Sequence, residues 1–175
     1  MDFFEVVTRR RSIRSFQTRP IEADKLRQIL EAANAAPSAG NLQGYEIHVV
    51  GAPEQRRALA KAALEQTFLA QAPVALVFCT NAQRSVARYR ERGRRLYAVQ
   101  DATIAATFAM LAATALGLAT VWIGAFDDDA VWRVIGSPAG QVPVAILPIG
   151  YPAEEPAPTA RRPLEELIHW RQPSE

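Results

Sequence analysis

Lysine and cysteine are nearly missing from this 175-residue chain: Lys25, Lys61 and Cys79 are all it has. A lone cysteine excludes an internal disulfide. Its place in the apolar run 74–80 marks it as a packing residue, and a reducing cytoplasm is the expected location. Positive charge is carried by arginine, and acidic residues nearly balance it. The formal net charge is only +2, which argues against a protein that coats nucleic acid or an anionic membrane. Histidine is scarce too. His48 and His169 lie far apart without partners at ligand spacing, so no metal centre is expected, and His48 falls in an expected strand as a structural residue. No Gly-x-Ser-x-Gly elbow, cysteine–histidine pair, Walker loop or Gly-x-Gly-x-x-Gly fingerprint occurs. A chain so short of side-chain catalysts points to a bound cofactor that carries the chemistry, outside any Rossmann domain.

Charge is absent altogether from Ala102 to Phe126. The stretch is rich in Ala and Thr and interrupted by Gly117 and Gly124, so it reads as a buried helix rather than a membrane span. The helix is expected over 100–116 with Gly117 as its C-terminal cap, followed by a strand over 120–123. Residues 1–5 show no basic stretch leading into an apolar block, so no secretory signal is expected.

What the chain does have is arginine in groups. Residues 9–16 read Arg-Arg-Arg-Ser-Ile-Arg-Ser-Phe. Arg10, Arg11 and Arg14 offer planar forks of donors that suit phosphate oxygens, and Ser12 adds a neutral donor. Taken singly, this run and the later pair Arg161-Arg162 read as solvated basic turns. Around them, Asp2 suits the cap of a short first helix. A second helix over about 22–35 carries Leu26, Ile29, Leu30 and Ala33 at helical spacing and stops before Pro37. The loop 38–44, Ser-Ala-Gly-Asn-Leu-Gln-Gly, tolerates unusual backbone angles. Next come a strand over 46–50, a helix over 53–64, a strand over 74–79 and a basic segment, 84–97, interleaved with Tyr89 and Tyr97. After the long apolar helix and its strand, Asp127, Asp128 and Asp129 open another helix as capping residues. A strand over 142–149 and a proline-rich arm close the chain. This order is not a βαβ series. It predicts an α+β fold, a sheet flanked by helices, with the long hydrophobic helix packed on another protomer.

Together the pieces resemble the FMN-dependent nitroreductase family. The resemblance is carried by Arg10-Arg11-Ser12-Ile13-Arg14, by the loop Ala36-Pro37-Ser38-Ala39-Gly40-Asn41-Leu42-Gln43, and by the helix running from Gln100-Asp101 to Gly117-Leu118. It continues through Trp122-Ile123-Gly124-Ala125-Phe126, Gly150-Tyr151-Pro152 and Arg161-Arg162-Pro163-Leu164. It spans nearly the whole chain in order and implies one domain over 1–175 with a central, mainly antiparallel sheet. It also implies a homodimer with two FMN molecules at the interface, the long helix in that interface, and an arm from about 151 to 175 packed on the partner.

By the resemblance, Arg10, Arg11, Ser12 and Arg14 contact the phosphate, ribityl chain and pyrimidine edge of FMN. Arg162 with Arg161 completes the phosphate site. Pro37, Ser38, Ala39, Asn41 and Gln43 reach the flavin from the other protomer. Ile123 and Gly124 lie against the isoalloxazine ring. The activity implied is an oxidoreductase passing a hydride from NAD(P)H through FMN to a nitroaromatic, quinone or similar acceptor by a ping-pong route, with no catalytic side chain and no metal. A specialised flavoenzyme of the same family is the alternative within it. A nucleic-acid-binding module built on 84–97 is the alternative from another class, and the low net charge opposes it. The chain departs from the family pattern in two ways. Gly44-Tyr45 stand where many members have proline and tryptophan, and the short segment 84–97 replaces longer insertions. Whether that segment covers the flavin or forms a plain surface helix stays open.

Overall fold

The computed structural model describes residues 1–171. Its helices are α1 (Phe3–Arg9), α2 (Ala23–Asn34), α3 (Pro53–Ala62), α4 (Phe68–Gln71), α5 (Ala82–Arg92), α6 (Ala98–Ala115) and α7 (Asp128–Val134). Its strands are β1 (Tyr45–Val50), β2 (Val74–Asn81), β3 (Ala119–Thr120) and β4 (Gln141–Gly150), ordered β1-β2-β4-β3 with every ladder antiparallel. The expected antiparallel sheet flanked by helices is what forms.

Strand alternation explains why β2 reads as an unbroken apolar run. Val74, Leu76 and Phe78 pack with Leu147 and Ile149 against the small residues of α6 and the inner face of α2. Ala75, Val77 and Cys79 point the other way, toward Leu59 of α3, Leu69 of α4 and Val131 of α7. With helices on both faces no position can stay polar. Burial, then the nearby Glu46 charge, pushes the Cys79 thiol up to about 12, as suits an inert packing residue. His48 shares a hydrogen bond between Nε2 and Gln141 Oε1 at 2.7 Å across the sheet.

The expected strand over 120–123 is shorter than the pattern suggested. Ala119 and Thr120 pair with Gly150 and Ile149, and Ile123 bridges Ile146 in the same register. That register sets Val121 opposite Pro148, where a bonded pair should form, and proline has no N–H to give. The ladder therefore breaks at one rung while the chain keeps its course. The basic segment also differs from a single surface helix. The backbone turns at Arg90 (φ 50°), so α5 folds back on the π-helical turn Gly93–Tyr97 that leads into α6. A Cβ on Gly93 would stand 2.6 Å from the Ser85 carbonyl, so this corner needs glycine.

Helix α6 ends as expected at Gly117 (φ +73°). Leu118 N–H donates to the Ala113 carbonyl at 2.8 Å and Gly117 N–H to Thr114 at 3.1 Å, a Schellman closure. Its inner face is Asp101, Ala102, Ala105, Ala106, Ala109 and Ala113, which lets it sit close to the sheet. The α5–α6 stretch is long and apolar enough to cross a membrane, but this inner face packs as core. Its outer face shows Val99, Thr103, Thr107 and Phe108. Thr103 and Thr107 donate their hydroxyls to the carbonyls four residues back at 2.8 Å, which satisfies them within the helix.

Candidate functional site

The first cleft is built from both ends of the chain. A capping box between Asp2 and Glu5 starts α1, and the helix stops at Arg10. The chain then runs extended along the edge of β3. Ser12 bridges Thr120, and Ile13 N–H donates to the Thr120 carbonyl at 3.2 Å. Ile13 and Phe16 are buried with Ala72 and Ala119, which pins the segment. On its other side Gln17 N–H donates to Tyr151 and Ala153 N–H to Ser15, both at 2.9 Å. Arg10, Arg11, Leu118 and Glu154 thereby come to line a cleft of about 960 Å³ that opens at the C-terminal end of α6.

Electrostatics single out this cleft. Burial, then Arg161, then Arg11 lower the pKa of Arg10. Among the described residues none of Arg10, Arg11, Arg14 and Arg161 forms an ion pair with a carboxylate. Arg10 and Arg11 are partly buried and Arg14 and Arg161 exposed, and like charges grouped in this way suit an anion with several oxygens. Arg162 does something else: its Nε lies 3.4 Å from Glu166 Oε2 and its Nη2 donates to the Glu166 carbonyl at 3.0 Å. Of the pair, Arg161 is the one beside Arg10. The Arg14 backbone N–H donates to Glu154 Oε1, leaving its guanidinium exposed. Ile123, buried, and Gly124, exposed, follow Thr120 along the same edge.

The second cleft, about 490 Å³, lies at the other end of α6 and is lined by Pro37, Ser38, Ala39, Asp101 and Ile104. Its loop is tightly wound. Gly40, Asn41 and Gln43 have φ of 58°, 57° and 45°, and Ser38 Oγ accepts from Gln43 N–H at 3.0 Å. Gln43 Nε2 donates to Asn41 Oδ1 at 2.6 Å. Asp101, which the sequence reading took only as part of a motif, accepts from Ala39 N–H at 2.9 Å and Gly44 N–H at 3.1 Å. Segment 84–97 rests on this loop: Arg84 Nε donates to the Leu42 carbonyl at 2.8 Å, and Tyr89 Oη would lie 2.7 Å from a Cβ on Gly40. Tyr89 and Tyr97 pack edge to face on each other at 4.9 Å.

Within one chain the expected site residues thus fall into two groups. Asp101 and Thr114 mark the two clefts along α6, and thirteen residues of helix span about 20 Å. No single flavin ring can touch both groups in one protomer. Asp101, Glu154 and Arg84 were missed as site residues. The only signal for Asp101 was its place as the last charge before the uncharged stretch.

As to FMN, the unpaired cations fit a dianionic phosphate, and exposed Gly124, without a side chain, fits close approach of backbone to a flat ring. Among the described residues no group of three or more His, Cys, Asp or Glu could hold a metal ion.

The nitroreductase family sequence model matches residues 7–69 and 64–151. A Thermus thermophilus protein named NADH dehydrogenase is 33% identical over 198 residues, covering 98% of this chain and 97% of its own. A Bacillus subtilis FMN reductase [NAD(P)H] is 33% identical over 93% of this chain and 71% of its own. The structure of NADPH:FMN oxidoreductase from Vibrio harveyi, complexed with NAD+, superposes with a TM-score of 0.89 at 29% identity, over 99% of this chain and 78% of that one. The two clefts, the broken edge strand and the apolar helix between them thus sit on a chain that belongs to the nitroreductase family.

Proposed function

We propose that this chain is an FMN-dependent oxidoreductase that takes a hydride from NAD(P)H and delivers it to a small electrophile such as a nitroaromatic or a quinone. The observation that carries the reading is the cationic cluster of Arg10, Arg11 and Arg161, without a carboxylate partner among the described residues, in a nitroreductase-family chain. The FMN reductase and NADPH:FMN oxidoreductase names of its relatives support it. When bound, FMN supplies the hydride chemistry, accepting from the nicotinamide and giving to the acceptor. The chain's own residues bind and orient. Arg10 and Arg161 take the phosphate, Ser12 the ribityl chain and Arg14 the pyrimidine edge, where a cation favours negative charge on the ring. Ile123 and Gly124 lie against the ring. One mouth serves donor and acceptor in turn, which gives a ping-pong pattern, and the acceptor draws its proton from solvent.

The protomer is one domain and works as a homodimer, in the cytoplasm. The outer face of α6 and the exposed Phe3, Phe4, Leu164, Leu167 and Trp170 are the apolar surfaces that a partner covers. Two α6 helices packed antiparallel would bring the arginine cleft of one protomer to the loop 38–43 of the other. The arm beyond Tyr151 would lie on the partner, and its last four residues fall outside those described.

The purified protein should be yellow and release FMN, not FAD, on denaturation, about one per chain. A colourless protein that cannot be reconstituted with FMN overturns the reading. Parallel double-reciprocal lines are expected when NAD(P)H and acceptor are varied, and intersecting lines would remove the shared mouth.

A further inference from the structure

We infer that Asp101 is a positioning residue whose carboxyl group fastens both ends of the loop 38–44 and so sets the backbone that the bound cofactor meets. The inference rests on the reading of this loop as one wall of an FMN cleft. Asp101 is 2% exposed and stands on the core face of α6 among alanines. A carboxyl group is buried at that depth only when its oxygens are occupied. Both are, and by the loop alone: Oδ1 accepts from Ala39 N–H at the loop's start and Oδ2 from Gly44 N–H at its end.

An acidic residue in a first helical turn is ordinarily explained by the helix dipole. That account fails here, because α6 does not begin at a free end. The π-helical turn Gly93–Tyr97 runs straight into it, and Ala98 N–H already donates to the Gly93 carbonyl.

The loop also needs fastening. Asn41 and Gln43 both hold left-handed backbone angles; asparagine tolerates them but glutamine does not readily, and such a conformation persists only where the surroundings over-determine it. Within the loop Ser38 Oγ accepts from Gln43 N–H, and from α5 Arg84 donates to the Leu42 carbonyl. Asp101 adds the tie that holds Ala39 and Gly44 together on α6. Gly44 is matched to it in two ways. Its N–H is one that a proline could not offer, and a Cβ there would stand 2.5 Å from the wholly buried Ser85 Oγ and 3.1 Å from Asp101 Oδ2. Gly44, the first residue of that departure, is therefore part of the latch.

The test compares the full-length wild type with Asp101→Asn, Ser85→Ala and Leu59→Ala. Leu59 is buried in the core on the other side of the sheet and serves as the control for general destabilisation. FMN dissociation constants and amide exchange at Ala39 and Gly44 in the apoprotein are measured. Asp101→Asn turns an acceptor into a donor against an amide N–H and should weaken FMN binding about tenfold or more while speeding both exchanges. Ser85→Ala removes a hydroxyl that has no partner and should change neither. Leu59→Ala should lower Tm without moving either readout beyond that loss. Equal FMN affinity in Asp101→Asn and wild type, or an equal loss in Leu59→Ala, overturns the proposal. If Asp101→Asn does not fold, the wild-type apoprotein decides: Ala39 and Gly44 amides that exchange at unprotected rates overturn it, and protected ones support it. A wild type that binds no FMN refutes the functional reading, while the exchange data still decide the latch.

Discussion

The two clefts at the ends of α6 are built on opposite principles. The arginine cleft is assembled from chain ends and half exposed, and although Glu154 and Glu155 line it, no carboxylate among the described residues forms an ion pair with Arg10 or Arg11. The loop 38–44 is neutral, strained and bonded to itself and to Asp101 until little freedom remains. One offers attraction and the other shape. Attraction tolerates an imprecise scaffold because several forked donors can adjust to a phosphate. Shape does not, and the backbone that offers it must be fixed beforehand.

Breaking the helix that joins the clefts should have the largest effect. Phe108→Arg places a charge on the outer face of α6 without touching the core, and should abolish both the dimer and FMN retention. Sedimentation and flavin absorbance of the same sample check this, and an FMN-loaded monomer would show that each cleft is complete in one chain. Next come the arginines. Arg10→Ala and Arg161→Ala should each weaken FMN binding by about 1.5–3 kcal/mol, roughly ten- to a hundredfold, whereas Arg162→Ala should cost less than about threefold. Titration at two ionic strengths sharpens the contrast, since added salt should weaken the charged cleft and leave the contribution of the loop unchanged.

A smaller effect separates binding from tuning. If Arg14 sits by the pyrimidine edge, Arg14→Ala should make bound FMN harder to reduce. Keeping about 1.4 kcal/mol of the charge interaction after solvent screening corresponds to roughly 30 mV for a two-electron couple. Potentiometry of FMN-saturated Arg14→Ala and Arg162→Ala checks this, and only the first should shift.

The smallest effect concerns Tyr151, next in sequence to the cleft residue Pro152. Glu22 is held down to about 2 from its usual 4.5, chiefly by the hydrogen bond from Tyr151, then by its own backbone N–H, with Arg19 and Lys25 adding less. A depressed carboxyl contributes stability above the usual value and loses it as pH falls toward the folded value. The wild type should therefore lose stability between about pH 4.5 and 2 more steeply than Tyr151→Phe. Acid titrations followed by circular dichroism compare the two slopes.

The elements of the fold were legible where local chemistry decided them. Asp2 caps α1, Gly117 closes α6, and the apolar run at 74–79 is the central strand, since these depend on neighbours in sequence. The interruption of the strand over 120–123 was not legible. It comes from Pro148, a residue 27 positions from its partner Val121, and only the pairing of β3 with β4 sets them opposite. For the same reason the turn at Arg90, where α5 folds back, could not be read from a run of basic residues.

The sequence by itself determined which residues could serve as the cationic site, because arginine stays charged and forked wherever the chain carries it. It also determined that α6 would be apolar on the outside as well as within. Tertiary structure alone decided that Arg161 faces Arg10 while Arg162 turns to Glu166, since adjacent residues in an extended arm diverge according to what each meets. It decided as well that Asp101 closes on amides 62 and 57 residues away. A carboxyl group on a helix carries no mark of the loop it will bind; burial of that helix face against the sheet and α2 brings the two together, and the cost of leaving its oxygens without donors there keeps them so.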